Sequence, residues 1–184
     1  MLTDEQRKTL LQAARRSIES ALGGRRLDVA EAGLEDALRR PAGAFVTLRT
    51  GEGDLRGCIG SIVAREPLIR AVVSSAFNAA FRDPRFHPVT PDEWPRIELE
   101  ISVMGPIERV TNINDIVPGR DGLIITRGSR SGLLLPQVAT EYDWDRETFL
   151  DQTCIKAGLA PGAWRHPETK IEKFSAEVFH EAAR

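Results

Sequence analysis

The spacing of apolar and polar residues predicts a helix at the start of the chain. The helix extends from Thr3 to about Leu22, because Thr3 and Gln6 have capping-box spacing and Gly23-Gly24 ends the pattern. Its apolar stripe consists of Leu10, Leu11, Ala14, Ile18, Ala21 and Leu22. A short helical turn is predicted around Leu34 to Arg40.

A β-hairpin is predicted next. Ala44 to Arg49 alternates, Thr50 to Asp54 is rich in turn-forming residues, and Leu55 to Gly60 forms the second strand. Successive strand residues point to opposite faces. One face of the second strand therefore carries Leu55, Gly57 and Ile59, and the other carries Arg56, Cys58 and Gly60.

The middle of the chain alternates between helical and irregular segments. A second helix is predicted from Pro67, a favoured first helical residue, to about Phe81. Two prolines make Asp83 to Pro88 a loop. The capping box formed by Thr90 and Glu93 predicts a short helix that ends before Pro95.

The second half combines strands with one helix. Arg96 to Met104 alternates clearly and predicts a strand with one core face and one polar face. A hairpin with the four-residue loop Gly128 to Ser131 follows, and Asp145 caps a helix of about Arg146 to Ala157. Alternation from Phe174 to Val178 predicts a last strand.

Composition limits the classes of function. A chain of 184 residues with 41% hydrophobic and 28% charged residues forms one domain or two small lobes. A net charge of −2 gives no basic footprint for nucleic acid. Three histidines and two cysteines, without zinc-type spacing, predict neither a metal site nor a cofactor. The N-terminus lacks a signal-like segment and no run could span a membrane, so a reducing cytoplasm is expected.

Two groups of residues are candidates for chemistry. Arg56 and Cys58 lie roughly 6–7 Å apart on one strand face, where a guanidinium favours a thiolate. A packed, structural thiol is the alternative interpretation of Cys58, and Cys154 is expected to be a core thiol. Glu98 and Glu100 share one strand face, which suits an acid/base pair or simply a solvated sheet face.

Five ordered motifs suggest a family. They are Leu55-Arg-Gly-Cys-Ile-Gly60 (LRGCIG), Asp83-Pro-Arg-Phe86 (DPRF), Glu98-Leu-Glu-Ile-Ser-Val103, Leu133-Leu-Leu-Pro-Gln-Val138, and Thr153-Cys154 with Lys156-Ala-Gly-Leu159. Together they resemble the AMMECR1-domain family over roughly Ala44 to Glu177. His87 stands where a proline is common in that family, so it is a poor candidate for an essential base.

The resemblance implies a fold and a set of partners. The expected fold is a single α+β AMMECR1-like domain over residues 1–184, with two sub-lobes that each carry an antiparallel sheet flanked by helices. The LRGCIG side chains would face a cleft between the lobes. Bacterial and archaeal members look like protein A of a three-part system with a Memo-like protein and a radical-SAM protein, which implies these two partners.

Two hypotheses of function follow. As an enzyme, the chain would use Cys58 as nucleophile or acid/base group, with Glu98 or Glu100 for proton transfer. Substrate would be bound by Arg56, Gly57, Gly60 and Arg85, the glycines allowing close approach. As a binding module, the chain would use Arg56 as an interface anchor and Phe86 as an apolar contact. The reactivity of Cys58 compared with Cys154 distinguishes the two hypotheses.

Overall fold

The computed structural model describes residues 1–181 and contains five α-helices and six β-strands within that range. The elements in chain order are α1 (Asp4–Leu22), α2 (Asp36–Arg39), β1 (Ala44–Arg49), β2 (Leu55–Ser61), α3 (Leu68–Phe81), β3 (Glu98–Arg109), β4 (Asp121–Arg127), β5 (Arg130–Leu134), α4 (Pro136–Glu141), α5 (Arg146–Lys156) and β6 (Lys170–His180). Three short 3₁₀ segments are Trp94–Arg96, Ile113–Asp115 and Ala163–Arg165.

The strands form one six-stranded sheet in the order β2-β1-β3-β6-β4-β5. The β1 ladders to β2 and β3, and the β4 ladders to β5 and β6, are antiparallel. The α+β class predicted from the sequence is therefore confirmed.

The chain divides into two compact units. The first comprises Met1–Met104 and the segment that begins at Glu177, and the second comprises Gly105–Ala176. In the first unit α1 and α3 pack on each other, and α3 packs on β1 and β2. Its core includes the fully buried side chains of Leu10, Ile18, Val46, Leu48, Val72 and Ile101. The core of the second unit includes Leu123, Ile125, Phe149, Leu150 and Cys154.

Local signals place the helix ends correctly. Thr3 and Gln6 form the predicted capping box of α1, with Gln6 N–H 3.2 Å from Thr3 Oγ1 and Thr3 N–H 2.9 Å from Gln6 Oε1. Asp145 caps α5 by accepting the Thr148 N–H at 2.8 Å. Pro67 occupies the N-cap of α3, one position before the predicted site.

Several predicted boundaries are wrong. Pro95 lies inside a 3₁₀ segment instead of ending a helix, because the first residues of a helix need no N–H partner. The loop between β4 and β5 is a two-residue turn instead of four, since Arg127 pairs with Arg130 and Gly128 adopts φ +60°. Helix α4 was not predicted.

Strands β3 and β6 each contribute residues to both units, and both differ from the sequence prediction in length or in burial. β3 continues past Met104 to Arg109, where Gly105 leaves room for Ser175: a Cβ on Gly105 would lie 2.2 Å from Ser175 Oγ. β6 exists as predicted, but Val178 is 43% exposed and Phe179 is buried. Phe179 belongs to the first core and Ile171 to the second, so the buried positions of β6 do not follow one alternation.

Candidate functional site

The DPRF loop is clamped to β2 by one buried carboxylate. Asp83, whose side chain is 1% exposed, accepts the Cys58 N–H at 2.9 Å and the Arg85 N–H at 3.1 Å. The Arg85 guanidinium donates to the same carboxylate at 2.9 Å from Nε and 2.7 Å from Nη2. Hydrogen bonding from Arg85 holds the pKa of Asp83 well below its usual range. The LRGCIG and DPRF motifs are therefore joined through Asp83.

Arg56 is held by a carboxylate of its own chain. Its Nε lies 3.2 Å and its Nη2 2.8 Å from the two carboxylate oxygens of Glu93, and Nη2 also donates to the His87 carbonyl at 2.8 Å. Burial acts to raise the pKa of Glu93, but the Arg56 hydrogen bonds and the Thr90 N–H lower it overall. The Arg56 guanidinium therefore makes a forked contact, and its partner is the Glu93 carboxylate.

Cys58 lies on a partly exposed sheet face and not in either core. Its Sγ is 3.3 Å from Thr47 Oγ1, the one side-chain hydrogen-bond partner of the thiol among residues 1–181. Thr47 stands opposite Cys58 on one side and opposite Glu100 on the other. Cys58 and Glu100 are therefore two strands apart, about 10 Å at their backbones.

The two glutamates associate with β1 and not with the thiol. Glu98 is exposed and stands opposite Arg49, and Glu100 Oε2 lies 3.8 Å from Arg49 Nε. The structure thus places Glu98 and Glu100 on the polar face expected, with Thr47 and Arg49 of β1 between them and β2. Neither residue of β1 was selected from the sequence, although the alternation of β1 puts both on this face.

The two glycines of the LRGCIG motif make room for protein backbone. A Cβ on Gly57 would lie 2.3 Å from the Ala79 carbonyl oxygen of α3. A Cβ on Gly60 would lie 2.2 Å from the Ala44 carbonyl oxygen and 2.5 Å from Phe45 Cα. The space beside these two glycines is therefore filled by helix α3 and strand β1 of the same chain.

The aromatic ring of Phe86 lies beside both Arg56 and Arg85. Phe86 is half-buried, with the Arg56 guanidinium carbon 5.8 Å and the Arg85 carbon 5.4 Å from the ring centroid. The Arg85 side chain is 53% exposed, although its head is paired with Asp83. We call Arg56, Cys58, Arg85, Phe86 and Glu93 the motif surface. Glu93 was not selected as a site residue, because only the folded chain brings it to Arg56.

The described residues were searched for a metal-binding cluster and for a helix that could span a membrane. Within residues 1–181, no group of three or more His, Cys, Asp or Glu side chains is arranged to hold a metal ion. In that same range no helix is both long enough and apolar enough to cross a membrane. Cys154 is fully buried as predicted, and burial raises the pKa of its thiol.

Comparison with known proteins defines the family. The AMMECR1 family model matches residues 11–179. A Methanothermobacter thermautotrophicus protein is 44% identical over 98% of this chain and 96% of its own length. An Aquifex aeolicus protein is 41% identical over 95% of this chain and 92% of its own length. The motifs, the α+β fold and these matches define an AMMECR1-domain protein.

A solved structure agrees with this fold. The crystal structure of uncharacterized protein PH0010 from Pyrococcus horikoshii matches with a TM-score of 0.88 and 40% identity, covering 98% of this chain and 93% of that one. The chain belongs to the AMMECR1 family, as the sequence motifs predicted.

Proposed function

We propose that this AMMECR1-family chain is a binding module that docks a partner protein on the motif surface. The observation that carries the proposal is the buried Asp83 carboxylate, which ties the LRGCIG strand and the DPRF loop into one unit. Arg85 and Phe86 are consequently presented in fixed positions before any partner arrives. A pre-organised arginine and aromatic pair is typical of interface hot spots, because little side-chain entropy is lost on binding.

The carboxylate pairing of Arg56 and Arg85 favours a binding function over a catalytic one. Arg56 and Arg85 are each neutralised by a carboxylate, Glu93 and Asp83 respectively. A guanidinium that is already paired stabilises a nearby thiolate less, since the carboxylate opposes its field. Among residues 1–181 the thiol of Cys58 has no carboxylate or imidazole as hydrogen-bond partner, which leaves a nucleophile without an adjacent base.

The partners proposed are the Memo-like and radical-SAM proteins implied by the sequence resemblance. The test is isothermal titration calorimetry of the full chain against each of these proteins from the same organism. We expect Arg85→Ala and Phe86→Ala each to weaken binding at least about tenfold, or about 1.4 kcal/mol. Binding of both variants at the affinity of the natural chain would refute docking on the motif surface, and no binding by either protein would refute the partner assignment.

The chain offers a matched control for Arg85. Arg165 is 54% exposed, pairs with Glu147 at 2.7 Å and stacks 3.8 Å from the Trp164 centroid. Arg165→Ala therefore removes a similarly exposed guanidinium, which is ion-paired and stacked on an aromatic ring, from another surface. We expect this control to bind like the natural chain.

Chemistry at Cys58 is the second candidate function. The observation in its favour is that Cys58 is partly exposed whereas Cys154 is fully buried. If the protein acts through the thiol, Cys58→Ser should keep its fold and partner affinity but lose activity in an assay of the assembled system. Full activity of Cys58→Ser would leave binding as the function of this face.

A further inference from the structure

A cavity of about 700 Å³ lies in the first unit, beside the turn between β1 and β2. One of its walls is formed by residues of the turn at 50–54, and another by residues of the segment 93–98. Pro95 and Ile97 give the second wall an apolar portion. Sites for small molecules typically have volumes of about 300–1,000 Å³, so this cavity is large enough to hold one.

The charge around this cavity is mainly negative. Five carboxylates and two guanidinium groups line it, which gives the lining a net formal charge of −3. The carboxylates belong to Glu52, Asp54, Glu93, Glu98 and Glu181, and the guanidinium groups to Arg56 and Arg96. A cleft lined by an excess of one sign of charge attracts ligands of the other sign. The lining therefore favours a positively charged occupant.

Ion pairing leaves more carboxylates than guanidinium groups unpaired in this lining. Glu93 is paired with Arg56, and Glu181 is paired with Arg15, which lies outside the lining. The other three lining carboxylates have no ion pair among residues 1–181, and Arg96 is the single lining guanidinium without one in that range. A cation that enters the cavity can therefore pair with carboxylates that are not already neutralised.

Two buried polar atoms of the lining residues have no hydrogen-bond partner among residues 1–181. They are Arg56 Nη1 and Thr50 Oγ1. The other two guanidinium nitrogens of Arg56 are used on Glu93 and on the His87 carbonyl. Burial of an unbonded polar atom costs free energy, so an oxygen acceptor that reaches these two atoms is stabilising. Because both atoms are buried in the structure of the chain alone, we expect a small side-chain rotation on binding.

We propose that this cavity binds a small organic cation that also carries a neutral oxygen acceptor, as in an amine with an amide group. The ammonium group pairs with the unpaired lining carboxylates, and the aliphatic part lies against the apolar wall. The oxygen accepts hydrogen bonds from Arg56 Nη1 and Thr50 Oγ1. A carboxylate is disfavoured in place of the neutral oxygen, since Glu93 already neutralises Arg56. Arg56 and Glu93 also belong to the motif surface, but binding of a small cation does not depend on a partner protein docking there.

The test is a titration of the full chain with L-lysinamide, followed by the NMR shifts of the backbone amides. It is run at low salt and about pH 6.5, where both amines of the probe are charged. We expect saturable shifts in the segments 50–56 and 93–98. Cadaverine, which is lysinamide without its carboxamide, should bind at least about threefold more weakly. Norleucinamide, which lacks the terminal ammonium group, should bind at least about fivefold more weakly.

Variants of the chain test the residues assigned to the cavity. Glu52→Gln with Glu98→Gln should weaken lysinamide binding at least about fivefold. The matched control is Glu108→Gln with Glu141→Gln, which removes two exposed carboxylates without an ion pair among residues 1–181 and gives the same net charge. We expect the control to lose less than about twofold. Thr50→Val should weaken binding at least about threefold without lowering the melting temperature, because its hydroxyl has no partner to lose.

The contrary outcomes are equally specific. No saturation below about 20 mM would overturn the proposal, because a ligand of about ten non-hydrogen atoms with ordinary efficiency binds in the millimolar range. Equal losses in the two double variants would also overturn it, because only net charge would then matter. Equal affinity for cadaverine and lysinamide would overturn the role of the oxygen acceptor. Tighter binding of succinate than of lysinamide would overturn the assignment to a cation.

Discussion

The Asp83 carboxylate accepts hydrogen bonds from both family motifs, and its pKa is lowered chiefly by Arg85. An aspartate in the unfolded chain has a pKa of about 4. The stability that ionised Asp83 contributes is therefore complete above about pH 4 and is lost as the pH falls toward the lower pKa of the folded state. We expect Asp83→Asn to lower the free energy of unfolding by about 2–3 kcal/mol at pH 7.

Chemical denaturation as a function of pH checks this expectation. The difference between the natural chain and Asp83→Asn should shrink on acidification below about pH 4. The control is Asp54→Asn, since Asp54 is exposed and its side chain makes no ion pair within the described residues. A constant difference between pH 7 and pH 3 would contradict a charge-based role for Asp83.

The glycines of the LRGCIG motif make a second prediction at the residue scale. Gly57→Ala and Gly60→Ala each place a Cβ within 2.3 Å of a carbonyl oxygen, which forces backbone to move. We expect each to cost about 3 kcal/mol or more, at the upper end for overpacking. Gly51→Ala is the control, because its nearest neighbour is 3.7 Å away and its φ is not positive. Thermal denaturation measures all three, and unchanged melting of Gly57→Ala would show that α3 does not pack as described.

The two cysteines should differ in both stability and reactivity. Cys154→Ser places a hydroxyl on the fully buried face of α5 and should cost about 1–3 kcal/mol. Cys58→Ser should cost less than about 1 kcal/mol, because a serine hydroxyl can still contact Thr47. Native-state alkylation followed by mass spectrometry should label Cys58 first. Faster labelling of Cys154 would contradict the burial of α5.

At the scale of elements, Arg56 joins β2 to the turn that carries Glu93. Arg56→Ala leaves Glu93 without its forked partner and should lower stability by about 2–3 kcal/mol, since one member of a largely buried pair is removed. Arg56→Lys should recover only part of this loss, because an ammonium cannot form the fork. Urea denaturation with parallel measurement of the Cys58 alkylation rate checks both variants. A marked fall in alkylation without loss of stability would instead mean that Arg56 acts on the thiol.

The helix caps formed by nearby side chains were predicted well, whereas features that depend on distant contacts were not. The caps of α1 and α5 depend on side chains within three residues, so the sequence alone reveals them. The close approach of Ser175 to Gly105 in β3 joins residues 70 positions apart along the chain, which periodicity does not reveal. The burial of β6 likewise depends on its contributing to two cores, which alternation within one strand does not reveal.

At the scale of the whole molecule, the motifs located the candidate site but not its charge pairs. LRGCIG and DPRF were recognised from sequence, and the fold brings them together at Asp83. The pairing of Arg56 with Glu93 spans 37 positions and follows no helical or strand period. The sequence therefore selected Arg56 and Arg85 as candidates without showing that both are paired with carboxylates of the same chain.

Docking on the motif surface is tested most directly by hydrogen–deuterium exchange of the chain alone and in complex with the Memo-like or radical-SAM protein. We expect slower exchange on binding in the segments 55–61 and 83–93, which carry the motif surface. Residues 160–166 around Arg165 should exchange at the same rate in both states. A complex that leaves exchange unchanged in both motif segments would contradict the proposed function.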